Sequence, residues 1–197
     1  NALPPLPALY REVMKAIHSA DPSVAKVAAI IARDVAMSAK LLQVVNSAGV
    51  GLRNEVTNVA QAASLLGLQR ISAMILVVEV FNLVAESELP SGMSLDRLWD
   101  HSLKVGEYAK KVAQCETSDL RSIDSAFTSG LLHDLGILLI ASNFADELTK
   151  SIALAKAKKT SLLHAELEVM GATHAEIGGY LLELWGLPDA IVEAIAY

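Results

Sequence analysis

Apolar residues recur at helical spacing along this chain, and no segment of any length alternates with period two. The pattern predicts an all-α fold. "LPALYREVMKAIHSA" reads as a helix entered through Pro5 and Pro7, with Leu9, Val13 and Ile17 as its buried stripe. Asp21 is the expected N-cap of the next helix and Pro22 its first helical position. "VAKVAAIIARD" and "MSAKLLQVVNSAG" follow, the second ending at Gly49. "TNVAQAASLLG" should be capped by Thr57 or Asn58 and closed by Gly67. "LQRISAMILVVEVFNLVA" is apolar almost all round, which predicts the central buried helix of this half.

"ESELPSGMS" (86–94) combines Pro90, Gly92 and three serines and is the best linker candidate. It divides the chain into an N-terminal helical lobe at 1–88 and a second helical lobe at 95–197. The second lobe reads as "LDRLWDHSLKVGEYAKKVAQ", "LRSIDSAFTSGLLHDLG", "ILLIASNF" and four further helical segments. Thr173 and Glu176 have capping-box spacing. "KAKK" (156–159) reads as a solvated helix end near the carbonyl pole of its dipole.

One residue breaks the apolar pattern. Asp134 lies within "TSGLLHDLGILLI", directly after His133. In a continuous helix it shares a face with Phe127, Gly130 and Leu131, so its carboxylate would point inward. His174 shares a face with Ile177, Gly178 and Leu181, and His101 with Leu98, Val105 and Val112. An unpaired buried ion costs several kcal/mol. The spacing therefore predicts that His101, His133, Asp134 and His174 meet. Imidazoles and a carboxylate suit a divalent ion such as Zn, Fe, Mn or Ni. A hydrogen-bonded knot without metal, with Asp134 holding protonated histidine, satisfies the same spacing. His18 lines up with Arg11 and Lys15 on a solvent face. His164 pairs with Glu168 at i,i+4 on a polar edge, leaving Leu163, Leu167 and Met170 as the buried stripe.

Charge narrows the partners. The net charge is −6. Residues 1–90 carry seven basic and seven acidic side chains, so the acidic excess lies entirely beyond them. That balance argues against nucleic acid, whose phosphates need a basic stripe. The apolar run "ILLI" is far short of the roughly 20 residues that span a bilayer, so no membrane role is expected. Cys115 is alone, which excludes a disulfide framework and fits a reducing, cytoplasmic setting. The chain starts at Asn1 and stops inside an apparent helix at "IVEAIAY", and so reads as a fragment of a longer protein.

His101 in its "HS" helix, "HDLG" at 133–136 and "THAEIGGYLLELWGLP" at 173–188 resemble the HD superfamily of metal-dependent phosphohydrolases. "LPPLP" near the start, "ARDVAMSAKLLQVVNSAG" and "VTNVAQAASLLGLQRI" narrow the resemblance to the HD-related output domain, HDOD, over nearly the whole chain. The resemblance implies one continuous domain, a multi-helix HD-like bundle with an N-terminal helical lobe. His101, His133 and Asp134 match the first three metal positions of the HD pattern, and His174 a histidine used in the HD-GYP branch. Three departures follow. Ile137 stands where HD-GYP enzymes carry a lysine after "HDxG". The "HHExxDGxGYP" signature is absent. Asp189, after Pro188, does not match the closing aspartate. The resemblance thus implies a non-catalytic output module in bacterial signal transduction, joined to or binding signalling proteins, with a nucleotide as a further ligand. The alternative it leaves is a metal-dependent phosphohydrolase acting on a nucleotide or cyclic dinucleotide.

"VVNSAGVGLRNEV" (44–56) reads as a helix end and turn in which Asn46 caps or bonds backbone; the competing reading is a contact element anchored by Arg53. Trp99 and Trp185 are expected in core packing. No phosphate loop and no serine nucleophile elbow is present.

Overall fold

The computed structural model describes residues 4–46, 55–84 and 89–197. All regular structure among them is helical, as the apolar spacing predicts. The chain divides into two compact units, one of residues 4–80 and one from Phe81 to Tyr197.

The first unit holds α1 (Ala8–Ile17), α2 (Val24–Ile31), α3 (Val35–Val45), α4 (Val59–Leu66) and most of α5 (Leu68–Phe81). Tyr10, Val13 and Ile17 form the buried face of α1, so Tyr10 takes the place expected for Leu9. Pro7 offers α1 no side-chain cap. Glu79 of α5 supplies one instead, its Oε2 accepting the Tyr10 N–H at 3.1 Å. That satisfies one of the donors every helix start leaves free. Ser23, not Asp21, caps α2, because its Oγ reaches the Lys26 N–H at 3.3 Å while Asp21 pairs with the Lys26 ammonium at 2.7 Å. Asn58 caps α4 through Gln61 N–H, and Gly67 closes it at φ 81°, a value L side chains avoid. α5 is buried continuously from Ile71 to Val78, in line with its unbroken apolar character. Asn46 bridges to Val56 twice, donating from Nδ2 to the carbonyl at 2.8 Å and accepting the N–H at 2.7 Å. Residues 47–54, including Arg53, lie outside the described residues.

The second unit holds α6 (Leu95–Glu116), α7 (Leu120–Leu132), α8 (Leu135–Asn143), α9 (Ala145–Lys158), α10 (Leu162–Met170), α11 (His174–Leu184) and α12 (Asp189–Ala196). Positions 86–88 of the expected linker lie outside the described residues. Leu89 and Met93 pack on a core of Ile137, Ile140, Ala141 and Leu148. Trp99 meets Phe81 edge to face, ring centroids 5.2 Å apart. Leu120–Asn143 is long and apolar enough to cross a membrane, but its 18-residue apolar stretch is 67% buried inside the fold and His133–Asp134 interrupts the helix.

Two glycine contacts set the helix spacing. A Cβ on Gly130 of α7 would lie 2.8 Å from Gly106 Cα on α6. A Cβ on Gly136 of α8 would collide with the His174 carbonyl at the start of α11. Both contacts bring backbones closer than any larger residue permits.

Candidate metal centre

The His133–Asp134 pair does not continue a helix. α7 ends at Leu132, and Asp134 adopts φ −96° and ψ 11° before α8 begins. In a helix adjacent side chains diverge by about 100°. The turn instead lets both aim at one point, with His133 Nε2 3.1 Å from Asp134 Oδ1. This break is a correction to the single helix expected through "LRSIDSAFTSGLLHDLG".

α6 brings His101, whose Nε2 lies 3.2 Å from His133 Nε2 and 3.5 Å from Asp134 Oδ2. α11 brings His174, its first residue, with Nε2 3.5 Å from Asp134 Oδ1. The structure thus brings all four expected residues together. They are not equal. His101, His133 and Asp134 each present a donor atom within 4.8 Å of the other two, and His174 joins through Asp134. His101 is also not inward-facing: its side chain is 55% exposed, and Val112, expected on the same buried stripe, is exposed. The cluster therefore opens to solvent at His101 and is closed at Asp134 and His174.

Two outer contacts fix the imidazoles. His133 Nδ1 lies 2.8 Å from the Gly130 carbonyl, which can only accept, so Nδ1 carries the proton. His174 Nδ1 lies 2.7 Å from Glu166 Oε2, which also accepts the His174 backbone N–H at 2.9 Å. Glu166 is fully buried on α10. In neutral His133 and His174 the Nε2 lone pairs consequently point at Asp134, a geometry that favours a cation between them. Burial acts to lower the His133 pKa, yet the Asp134 hydrogen bond and charge, helped by Gly130, hold it above its ordinary value. Burial acts to raise Asp134, yet His133, then His174 and His101, hold it below the usual carboxylate range.

The donor set fits a divalent ion. Metal–nitrogen distances of about 2.0–2.1 Å give tetrahedral edges of roughly 3.3–3.4 Å. For His101, His133 and Asp134 the separations of 3.1, 3.2 and 3.5 Å straddle that edge, whereas His174 is tied to the group only through Asp134 Oδ1, at 3.5 Å. An imidazole whose far nitrogen is held by a carboxylate or carbonyl is the usual arrangement around a ligated metal.

Glu166 escaped the sequence reading. α10 buries Ala165 and Glu166, whereas Leu163 and Leu167, expected inside, are 41% and 47% exposed. His164 bonds Ser161 Oγ at 2.9 Å, and Glu168 takes Lys158 at 2.6 Å. Two apolar residues at i,i+4 looked like a core stripe. The available signal was a carboxylate eight residues before a histidine that itself needed a partner.

The family described as HDOD domain matches residues 3–197. An uncharacterized protein of Treponema pallidum (strain Nichols) is 27% identical over 196 residues, which are 99% of this chain and 37% of that protein. A solved HDOD domain protein of unknown function from Geobacter sulfurreducens is 26% identical with a TM-score of 0.77, over 100% of this chain and 65% of that one. A Shewanella amazonensis protein named provisionally as a phosphohydrolase is 27% identical with a TM-score of 0.77, over 98% of this chain and 67% of that one. The chain spans about a third of the length of the Treponema relative and about two thirds of these structures.

Proposed function

The chain belongs to the HDOD family, and from that premise we propose that it is a cytoplasmic output module of a bacterial signalling protein, working by binding rather than turnover. In this reading His101, His133, Asp134 and His174 hold one divalent ion, from among Fe, Mn, Zn and Ni, that ties α6, the α7–α8 turn and α11 together. The partners are signalling proteins or covalently linked signalling domains. One observation carries the non-catalytic half. Among the described residues every group paired with the Asp134 carboxylate is an imidazole, the next layer holds the buried carboxylate of Glu166, and position 137 is a buried isoleucine. Among the described residues no lysine or arginine pairs with these four side chains, and phosphoryl chemistry depends on permanent positive charge.

The test joins elemental analysis of the purified protein with phosphate-release assays in added Mn, Fe or Ni, and affinity capture of signalling partners by the full-length protein. Bound metal, captured partners and no turnover are expected. Turnover abolished by Asp134→Ala in a folded protein would replace this reading with metal-dependent hydrolysis of a nucleotide or cyclic dinucleotide. The solvent-open edge at His101 is the observation that favours that second reading, since hydrolytic metal sites keep one position accessible.

A further inference from the structure

A groove of about 620 Å³ runs along α7 and ends at His133. Its floor follows one face of that helix. Arg121, Ser125 and Ser129 recur there at i, i+4 spacing, and His133 closes the row. Arg121 and His133 are twelve positions apart, a helical rise of about 18 Å. The walls are small and apolar: Val105 and Ala109 on α6, Ala190 and Ala194 on α12. The volume lies within the roughly 300–1,000 Å³ of small-molecule sites.

Ser129 carries the argument. It is 91% buried, being 9% exposed, and it lines the groove. Its hydroxyl has no hydrogen-bond partner among the described residues. Helical serines and threonines commonly return their hydroxyl to the carbonyl four residues back, as Thr128 does to Asp124 at 2.8 Å. Ser129 makes no such bond among the described residues, and leaving a buried hydroxyl unmatched costs about 1–3 kcal/mol. One turn away, Ser125 is likewise unbonded there. At the outer end, the exposed Arg121 guanidinium makes no ion pair within 4 Å among the described residues, although its charge helps hold the neighbouring Asp119 carboxyl down. The Asp119 carboxylate beside it is occupied by Arg121 N–H, Ser122 N–H and Ser122 Oγ.

We propose that this groove binds an elongated small organic anion, its anionic head at Arg121 and its hydroxyl-bearing body on Ser125 and Ser129 between the alanine walls. The ligand's far end then reaches the His133 edge of the metal centre, so occupancy can be sensed there. The proposal rests on the reading of the chain as a binding module and names one kind of ligand for it.

Adenosine 5′-monophosphate is a suitable probe for the stretch from Arg121 to Ser129, a run of about 12 Å, because it joins a phosphate, a hydroxyl-bearing ring and a flat apolar body. Adenosine alone and inorganic phosphate alone test the two halves. Calorimetric titration of the wild type, Ser129→Ala and Arg121→Ala is paired with thermal melts. The expected result is binding of the whole probe, weaker by about 5–10-fold in Ser129→Ala and by about tenfold or more in Arg121→Ala. Without probe, Ser129→Ala should melt at or above the wild-type temperature, because it removes an unmatched hydroxyl. Absence of binding at millimolar probe overturns the proposal, as does affinity unchanged in either variant. A lower melting temperature of probe-free Ser129→Ala also overturns it, since the hydroxyl would then serve the fold. Partner capture without any probe binding sinks the groove alone and leaves the signalling reading intact.

Discussion

Glu166 grips His174 at two points, accepting its backbone N–H at 2.9 Å and its Nδ1 at 2.7 Å. Among the described residues the fully buried carboxylate has no other partner. It therefore sets both the entry of α11 and the direction in which His174 Nε2 points. Glu166→Gln preserves the shape but replaces a charged acceptor with a neutral amide. Metal affinity should fall by about 10–100-fold with little change in fold, as titration with Zn or Mn and circular dichroism would check. Glu166→Ala strands two His174 donors and should cost about 1–3 kcal/mol for each in urea unfolding. Unaltered metal affinity in the glutamine variant would mean that Glu166 serves packing alone.

Gly136→Ala places a methyl group where the His174 carbonyl already sits. Both sides of the contact are backbone, so no rotamer change relieves it. α8 and α11 must separate, carrying Asp134 away from His174. The expected cost is about 3 kcal/mol or more, at the upper end of overpacking penalties, with loss of metal binding. Gly67→Ala is the control. Its added Cβ meets nothing within 4 Å, so only the strain of φ 81° is imposed, and the metal centre should be untouched.

The same residues explain what the sequence could disclose. Helical spacing revealed the all-α class and the burial of α5, because an apolar face repeats at every turn. It grouped His101, His133, Asp134 and His174 on the premise that ions among hydrocarbon need partners, a premise that fits the enclosed Asp134 and His174 but not His101, which is 55% exposed. It failed where local geometry departs from a continuous helix. The turn at His133–Asp134 is flanked by close contacts between helices distant in sequence, Gly130 against Gly106 and Gly136 against His174. Periodicity has no access to those contacts. Glu166 was missed for a related reason: α10 buries its carboxylate against His174 rather than burying Leu163 and Leu167, and only the tertiary partner reveals the choice.

Asn46 ties the end of α3 to Val56, ten residues on, using both atoms of its amide. Val56 is 1% exposed while Asn46 itself is exposed, so the two bonds are part-buried. Asn46→Ala should destabilise the fold by about 1–3 kcal/mol. Asn46→Asp keeps the acceptor for Val56 N–H but removes the donor and turns an oxygen toward the Val56 carbonyl. It should cost at least as much near neutral pH. Acid should recover part of the loss, because a protonated carboxyl can donate again. Urea titrations of the three proteins at two pH values would separate these effects. Equal stability of the alanine variant and the wild type would reduce the Asn46 bridge to a surface contact.

Glu79 offers a pH dependence within the first unit, which does not contain the metal centre. Burial pushes its carboxyl up from the ordinary 4.5; the Tyr10 N–H opposes this, the Asp34 charge adds to it, and the Leu9 N–H opposes it more weakly. A carboxyl raised by folding favours the protonated form in the native state. Its contribution to stability is thus fully present below 4.5 and is lost as pH rises through the higher folded value. Glu79→Gln is neutral at every pH and its amide oxygen still accepts the Tyr10 N–H. The difference in unfolding free energy between the two proteins should therefore move in favour of glutamine across about pH 4 to 7, then level off. Urea unfolding at intervals across that range reads the trend directly. A difference that stays flat, or that turns toward the wild type as pH rises, would mean that the ionised carboxylate at the start of α1 gains more from the helix dipole and the two N–H groups than burial takes away.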